Sequence, residues 1–200
     1  MEQTKELRFI CTRCGNCCTD KNTIVNVTYL DVLRIYKGLK LNESEILEVI
    51  GFYLHKQNQF NIVAQKMVLS PIETEKGKAF PGLLKNQQGH CYFYDLDNKK
   101  CLIYKLRPIF CRTFPFSFEF SSTNEITILY TEKSKSYCPG IGKDAPIIEY
   151  DDWITLARKT QKELKDNYIF NSKWDKYVKD GRVKPTAKNF IKEIISQNES

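Results

Sequence analysis

The chain has 200 residues and a net charge of +7, with 42% hydrophobic and 28% charged side chains, which is the composition of a globular protein. It is long enough to bury a core without crosslinks, which excludes wholesale disorder and a disulfide-dependent miniprotein. No apolar run approaches the ~18 residues of a membrane span. Residues 1–9 lack the apolar stretch of a secretory signal, so the expected setting is the cytoplasm, away from the membrane.

The positive charge is spread along the chain, 0, +3, +1 and +3 by successive quarters, with no basic arm or stripe. Nucleic-acid binding is therefore not the expected function.

Four cysteines fall in the run Cys11-Thr12-Arg13-Cys14-Gly15-Asn16-Cys17-Cys18. Behind it, Thr28 caps a helix with apolar Leu30, Leu33 and Ile35 and with Gly38 as its stop. Asn42 and Glu45 have capping-box spacing and open a second helix through Ile46, Leu47, Val49 and Ile50. Residues 61–72 read as a strand ending near Pro71. Residues 91–94 and 101–104 flank a polar stretch and predict a hairpin. Phe114, Phe116, Phe118 and Phe120 alternate along one strand face, residues 121–124 supply a turn, and residues 126–130 form the returning strand.

The tail is helical. Asp152 caps a helix carrying Trp153, Leu156 and Leu164, residues 173–179 form a short amphipathic piece, and Thr186 opens a last helix through Phe190, Ile191, Ile194 and Ile195. The expected fold is α+β. Residues 1–145 make a small cysteine-rich metal-binding domain of short antiparallel strands and helices, and residues 146–200 make a helical C-terminal extension.

In a reducing compartment stable disulfides are rare, so eight cysteines point to metal or redox chemistry. Two-residue gaps between Cys11, Cys14 and Cys17 let thiolates converge on one centre, and Gly15 permits the positive φ that such a loop needs. Cys91, Cys101 and Cys111 follow at equal intervals, with Cys138 in a loop before Pro139 and Gly140. The predicted hairpin sets Cys91 beside Cys101, and Pro108 opens a short helix carrying Cys111. All eight are candidate metal ligands. Adjacent Cys17 and Cys18 point to opposite sides of an extended backbone, so the pair is expected to serve different centres, dividing the thiols into two sets of four. One four-thiol site plus buried or redox cysteines is the alternative.

Arg107 and Arg112 flank Cys111 and are the candidate cofactor-binding residues, as donors to an anionic cluster or to an acidic substrate; an ion pair is the plainer role. His55 reads as an exposed helix residue, His90 as a replacement ligand that eight cysteines make unnecessary, and Tyr104 as a packing residue. Neither a phosphate-binding loop nor a dinucleotide fingerprint is present in the sequence. The radical-type spacing Cys-x3-Cys-x2-Cys fails at Lys21.

These residues resemble the CxxCxxCC cysteine-cluster family, described as zinc- or iron-chelating domains and often labelled iron–sulfur proteins. The resemblance rests on Phe9, Cys11, Cys14, Gly15, Cys17, Cys18, Asp31, Cys91 and Phe93. It continues through Cys101-Leu102-Ile103-Tyr104, Arg107-Pro108, Cys111-Arg112, Phe114-Pro115, Cys138 and Gly140. It covers roughly residues 9–140 and implies a bound metal. Cys11, Cys14 and Cys17 match the first three ligands of a bacterial ferredoxin run, and Cys138-Pro139 reproduces its Cys-Pro pair. A second Cys-x2-Cys knuckle, usual for structural zinc, is missing. A [4Fe–4S] cluster is therefore favoured over Zn2+. The expected function is an iron–sulfur protein in a redox or protein-modification role with an unidentified protein or redox partner. A structural zinc module that binds partners is the alternative. The family also looks related to the cysteine-rich part of flagellin lysine N-methylases, which implies a third reading, a cluster-dependent methylase-like enzyme.

Overall fold

A computed structural model describes residues 6–55 and 68–197. In chain order its elements are α1 (Asn16–Thr19), α2 (Tyr29–Leu39), a 3-10 turn (Glu45–Glu48), β1 (Ile50–Leu54), β2 (Ile72–Thr74), β3 (Gly77–Leu83), β4 (Tyr94–Asp95) and β5 (Lys100–Cys101). A second 3-10 turn (Tyr104–Leu106), α3 (Ile109–Thr113), β6 (Phe116–Phe120), β7 (Ile126–Tyr130), α4 (Glu132–Tyr137), α5 (Tyr150–Lys179) and α6 (Ala187–Ser196) complete it. The architecture is α+β, as the sequence predicts. Antiparallel strands run in the order β1-β3-β2, and β4–β5 and β6–β7 are separate hairpins.

Local chemistry explains most of the boundaries. Thr28 and Asp31 form a reciprocal capping box at the start of α2, each side chain accepting from the other's backbone N–H. Gly38 does not stop this helix. It lies inside because a Cβ there would come within 2.5 Å of Leu106, and Lys40, left-handed at φ 54, makes the actual end. The Asn42–Glu45 box also forms, but it heads only a 3-10 turn, because Ile50 leaves to pair with Leu83 as the first residue of β1. His55 follows β1 rather than sitting on a helix, donates its N–H to the Lys78 carbonyl at 2.7 Å and packs edge-on against Phe80. Of the strand predicted over residues 61–72, residues 61–67 lie outside the described ones, and Ile72 begins β2 instead of ending a strand.

The hairpin around residues 91–104 exists in a different register. Tyr94 faces Cys101 and Asp95 faces Lys100, while Cys91 makes an isolated bridge to Lys85. The phenylalanine strand forms over Phe116–Phe120, with Phe116 facing Tyr130 and Phe120 facing Ile126 and only Phe116 fully buried, but Phe114 lies outside it, capping the end of α3. The two helical pieces predicted in the tail are one continuous helix, α5, and Asp152 lies in its first turn behind Glu149. Thr186 caps α6 as expected, accepting from the Asn189 N–H.

Two apolar cores result. The larger joins Val32, Leu33 and Ile35 of α2, Ile50, Ile72 and Leu83 of the sheet, and Phe170, Trp174, Phe190, Ile191 and Ile194 of α5 and α6. Cys91 and Cys101 pack against it. The smaller centres on Phe116, Ile128 and Ile148, with Phe9 and Trp153 edge-to-face on Phe116 at 5.7 and 4.5 Å. Phe9 thus anchors the chain two residues before Cys11. No helix among the described residues is long and apolar enough to cross a membrane.

Trp174 is fully buried, and its indole N–H donates to the Glu73 carbonyl at 3.2 Å. Trp174→Ala is expected to lower stability by about 3–5 kcal/mol, read as a shift in the urea midpoint. Because its core also holds α2 and the sheet, helix and sheet signals should be lost in one transition.

Candidate metal centre

Two close backbone approaches bring the cysteine loops together. Ile10 donates its N–H to the Gly140 carbonyl at 3.0 Å, and a Cβ on Gly140 would fall 2.1 Å from the Ile10 carbonyl oxygen. Only glycine lets the Cys138 loop lie against the strand entering Cys11. Gly15 is left-handed at φ 81, and a Cβ there would fall 1.9 Å from the Tyr94 hydroxyl. That bend starts α1, so Cys17 and Cys18 sit on a helical turn and not on extended backbone. Their Sγ atoms lie 3.9 Å apart instead of pointing to opposite sides.

The chain after the pair is held by charge. Lys133 pairs with Asp20, and Lys85 donates to the Asp20 and Lys21 carbonyls at 2.7 Å each. Burial alone would raise the Asp20 carboxyl, but hydrogen bonds from Lys133 and Thr23 more than offset it and hold the group at about 2. Cys91 donates its N–H to the Cys18 carbonyl at 2.7 Å, which fixes the next thiol directly against the first cluster. Cys111 is placed by Asp31. The carboxylate that caps α2 also accepts the Ile109 N–H at 3.0 Å, at the start of α3.

As a result Cys11, Cys17, Cys18, Cys91, Cys101 and Cys111 all line one cavity of about 320 Å³. The Cys91–Cys101 pair therefore meets in this cavity although not across the β-ladder. Cys14 and Cys138 lie outside its lining, on the side of the Ile10–Gly140 seam. Burial, and after it the charges of Cys14, Cys17 and Cys11, push the Cys138 thiol up, so Cys138 lies in the neighbourhood of the first cysteine run.

The two predicted arginines part company. Arg107 lines the cavity, donates from Nε to the Tyr104 carbonyl at 3.1 Å, and lies over the Tyr104 ring at 3.8 Å. Arg112 is outside the lining and turns to Glu163 on α5 at 3.5 Å, where Arg34 also binds at 3.0 Å, so its position is that of an ion pair. Sequence reasoning passed over Arg13, which sits left-handed at φ 56 between Cys11 and Cys14 and brings a second guanidinium within 4.7 Å of the Tyr104 ring. As the only cation inside the cysteine run it carried a signal. Glu163 carried none, being far along the chain from both of its partners. His90 lies outside the cavity lining, with Nδ1 buried and unpartnered.

Most of these thiols are held neutral. A hydrogen bond from Cys18 lowers Cys17 to about 7, burial opposing and Arg107 assisting. The same bond, with burial and the charge on Cys17, pushes Cys18 far above the usual thiol range, so the pair keeps one proton between its two sulfurs near neutral pH. Burial raises Cys91 to about 11 and Cys111 well above its ordinary value, and it raises Cys101 and Cys138 too.

Among the described residues, no three Cys, His, Asp or Glu side chains are closed around a single point as an ion would hold them. The donor set nonetheless suits a thiophilic metal: six sulfurs reach one cavity, and soft thiolates select zinc, copper(I) or iron–sulfur clusters.

The sequence profile of the CxxCxxCC family, described as "Putative zinc- or iron-chelating domain", matches residues 10–139. An uncharacterized protein of Methanocaldococcus jannaschii is 29% identical over 159 residues, covering 79% of this chain and 71% of the relative. No solved structure matches the chain.

Metal binding by protonated thiols releases protons, so affinity should climb with pH. Between about pH 6 and about pH 9, metal uptake by the stripped protein should strengthen by up to one decade per pH unit for each proton displaced. Competition against a chromophoric chelator checks this, and a flat profile would mean that the raised thiols are not ligands. The metal-free fold should behave oppositely. The stability contributed by neutral Cys91 is complete below its unfolded value of 9.0 and is lost as pH rises through about 11. Asp31→Asn removes the charge that the Thr28 and Ile109 N–H groups and Arg34 surround, while Arg34 keeps Glu163, and it is expected to cost about 1–3 kcal/mol, measured by thermal or urea unfolding.

Proposed function

The chain belongs to the CxxCxxCC family, and from that premise we propose that it carries an iron–sulfur centre on its cavity-facing thiols and works in cytoplasmic redox or protein-modification chemistry. The observation that carries this reading is the six-thiol cavity itself. A structural zinc closes four ligands tightly around one ion, whereas here sulfurs from four separate segments face about 320 Å³. One water needs only ~10–15 Å³ on that measure, so the room suits a polynuclear group.

The surrounding residues fit such a group. Tyr94, Tyr104, Phe110, Phe114 and Tyr137 line the same cavity, and an aromatic shell of this kind tunes a cluster's potential. Arg107 lowers the cost of negative charge at Cys17, Cys101 and Cys111, the charge that a thiolate cluster carries. When bound, a cluster supplies one-electron transfer to a redox partner. In this reading the eight thiols make two sets of four, with Cys91, Cys101 and Cys111 in one and Cys14 and Cys138 in the other. Cys17 and Cys18 then stand where the two sets meet.

One observation favours zinc. The Cys17–Cys18 separation of 3.9 Å is close to the ~3.8 Å edge of a thiolate tetrahedron built on Zn–S bonds of ~2.3 Å. In that reading both cysteines bind one ion, and the protein is a structural module for a partner.

Anaerobic purification followed by iron, zinc and acid-labile sulfide analysis separates the two readings. A brown protein with iron and sulfide in equal amounts supports the cluster, and a colourless protein with zinc alone overturns it. For Cys17→Ser and Cys18→Ser, two sets predict that each variant loses a different part of the metal, because serine keeps the shape but not the soft donor. Identical residual metal and identical spectra would instead point to a single shared centre.

A further inference from the structure

The cavity is larger than its metal-binding wall. Its thiols account for part of the lining, while Ile24, Val25, Phe110 and Phe114 form another part that offers a metal no donor. Three cations also line the cavity, Arg13, Arg107 and Lys133, and Lys133 is already paired with Asp20. The guanidiniums of Arg13 and Arg107 gather on the Tyr104 ring at 4.7 and 3.8 Å. Several neighbouring cations have carboxylate partners: Arg34 and Arg112 share Glu163, and Lys133 takes Asp20, while Lys85 donates to two backbone carbonyls. Among the described residues Arg13 and Arg107 have no such partner. Arg13 moreover sits on left-handed backbone at φ 56, a conformation that a residue with a Cβ adopts at a cost.

Two like charges against one ring beside an apolar wall favour an anion that both can reach. Planar guanidinium forks match a carboxylate in two parallel hydrogen bonds, and a mostly apolar pocket with a few convergent polar groups suits an organic ligand. We propose that this cavity binds a small organic acid beside the metal centre, its carboxylate on Arg13 and Arg107 and its apolar body against Phe110, Phe114, Ile24 and Val25. The proposal rests on the metal-centre reading only in placing the metal on the thiols, which leaves the apolar wall to the acid.

The test uses the anaerobically purified full chain, with metal content measured on each sample. 1-Naphthoate and its neutral counterpart 1-naphthamide are titrated by calorimetry. The expected result is saturable one-to-one binding of naphthoate, about ten-fold or more tighter than naphthamide. Arg13→Gln and Arg107→Gln should each weaken naphthoate by about ten-fold and leave naphthamide unchanged, while Arg107→Lys, which keeps the charge without the fork, loses less. Arg158→Gln, on the exposed face of α5, should change nothing. Equal binding of the two probes, binding of neither, or naphthoate affinity untouched in correctly folded arginine variants overturns the proposal. A sample with full metal but no preference for naphthoate overturns this inference and leaves the metal centre standing. A sample without metal that still selects naphthoate through the arginines does the reverse.

Discussion

One buried carboxylate, that of Asp31, ties together parts of the chain that otherwise share nothing. It accepts the Thr28 N–H that starts α2, takes the Arg34 guanidinium, and receives the Ile109 N–H at the head of the helix bearing Cys111. A fully buried charge is tolerable only when several donors replace water around it, and here each donor comes from a piece of structure that must be in place. The capping geometry of α2 and the position of a thiol nearly eighty residues later are therefore one constraint. Through Arg34 the constraint extends to Glu163 on α5, and Glu163 in turn holds Arg112, next to Cys111.

The remaining thiols are positioned by backbone contact. The Cys91 N–H on the Cys18 carbonyl and the Ile10 N–H on the Gly140 carbonyl are hydrogen bonds between main-chain atoms, indifferent to the side chains they carry. What these approaches require is the lack of a Cβ at Gly15 and Gly140. Bringing thiols from distant segments to one cavity closes long loops, and the entropy lost in doing so grows only slowly with loop length. The larger cost is electrostatic. Burial favours the neutral thiol at most of these sulfurs, so a metal that binds them must displace their protons and supply the charge that stabilises the thiolates.

The helices beyond residue 146 bear on the site through packing as well as through Glu163. Phe170, Trp174, Phe190 and Ile191 fill the core on which Cys91 and Cys101 rest, and Trp153 closes the smaller core around Phe9. The family profile stops at residue 139, so this support comes from sequence outside the matched part. Glu163 and Trp174 belong to α5, whose buried residues follow helical spacing and whose partners lie far away along the chain.

The sequence alone determined the chemistry and much of the local structure. Eight cysteines in this spacing point to thiol-based metal chemistry, and the family match to a zinc- or iron-chelating domain agrees with that. The Thr28 cap, the Asn42–Glu45 box, the alternation of Phe116, Phe118 and Phe120 and the Thr186 start are local signals, complete within a few residues, and these hold. Signals that depend on a distant partner were misread. Gly38 looked like a helix stop because the Leu106 side chain that requires a bare Cα there is far along the chain. The Asn42 helix was cut short by strand pairing with Leu83, and the hairpin register was set by the Lys85–Cys91 bridge. Arg107 and Arg112 looked equivalent on either side of Cys111. Only the tertiary structure turned one into the cavity and the other onto Glu163, because neighbours on a helical turn face different surroundings and the ion pair that claims Arg112 comes from the far end of the fold. Cys17 and Cys18 followed the same rule. Their adjacency is written in the sequence, but whether their sulfurs diverge or meet depends on the backbone, and the left-handed bend at Gly15 under the Tyr94 hydroxyl made it helical.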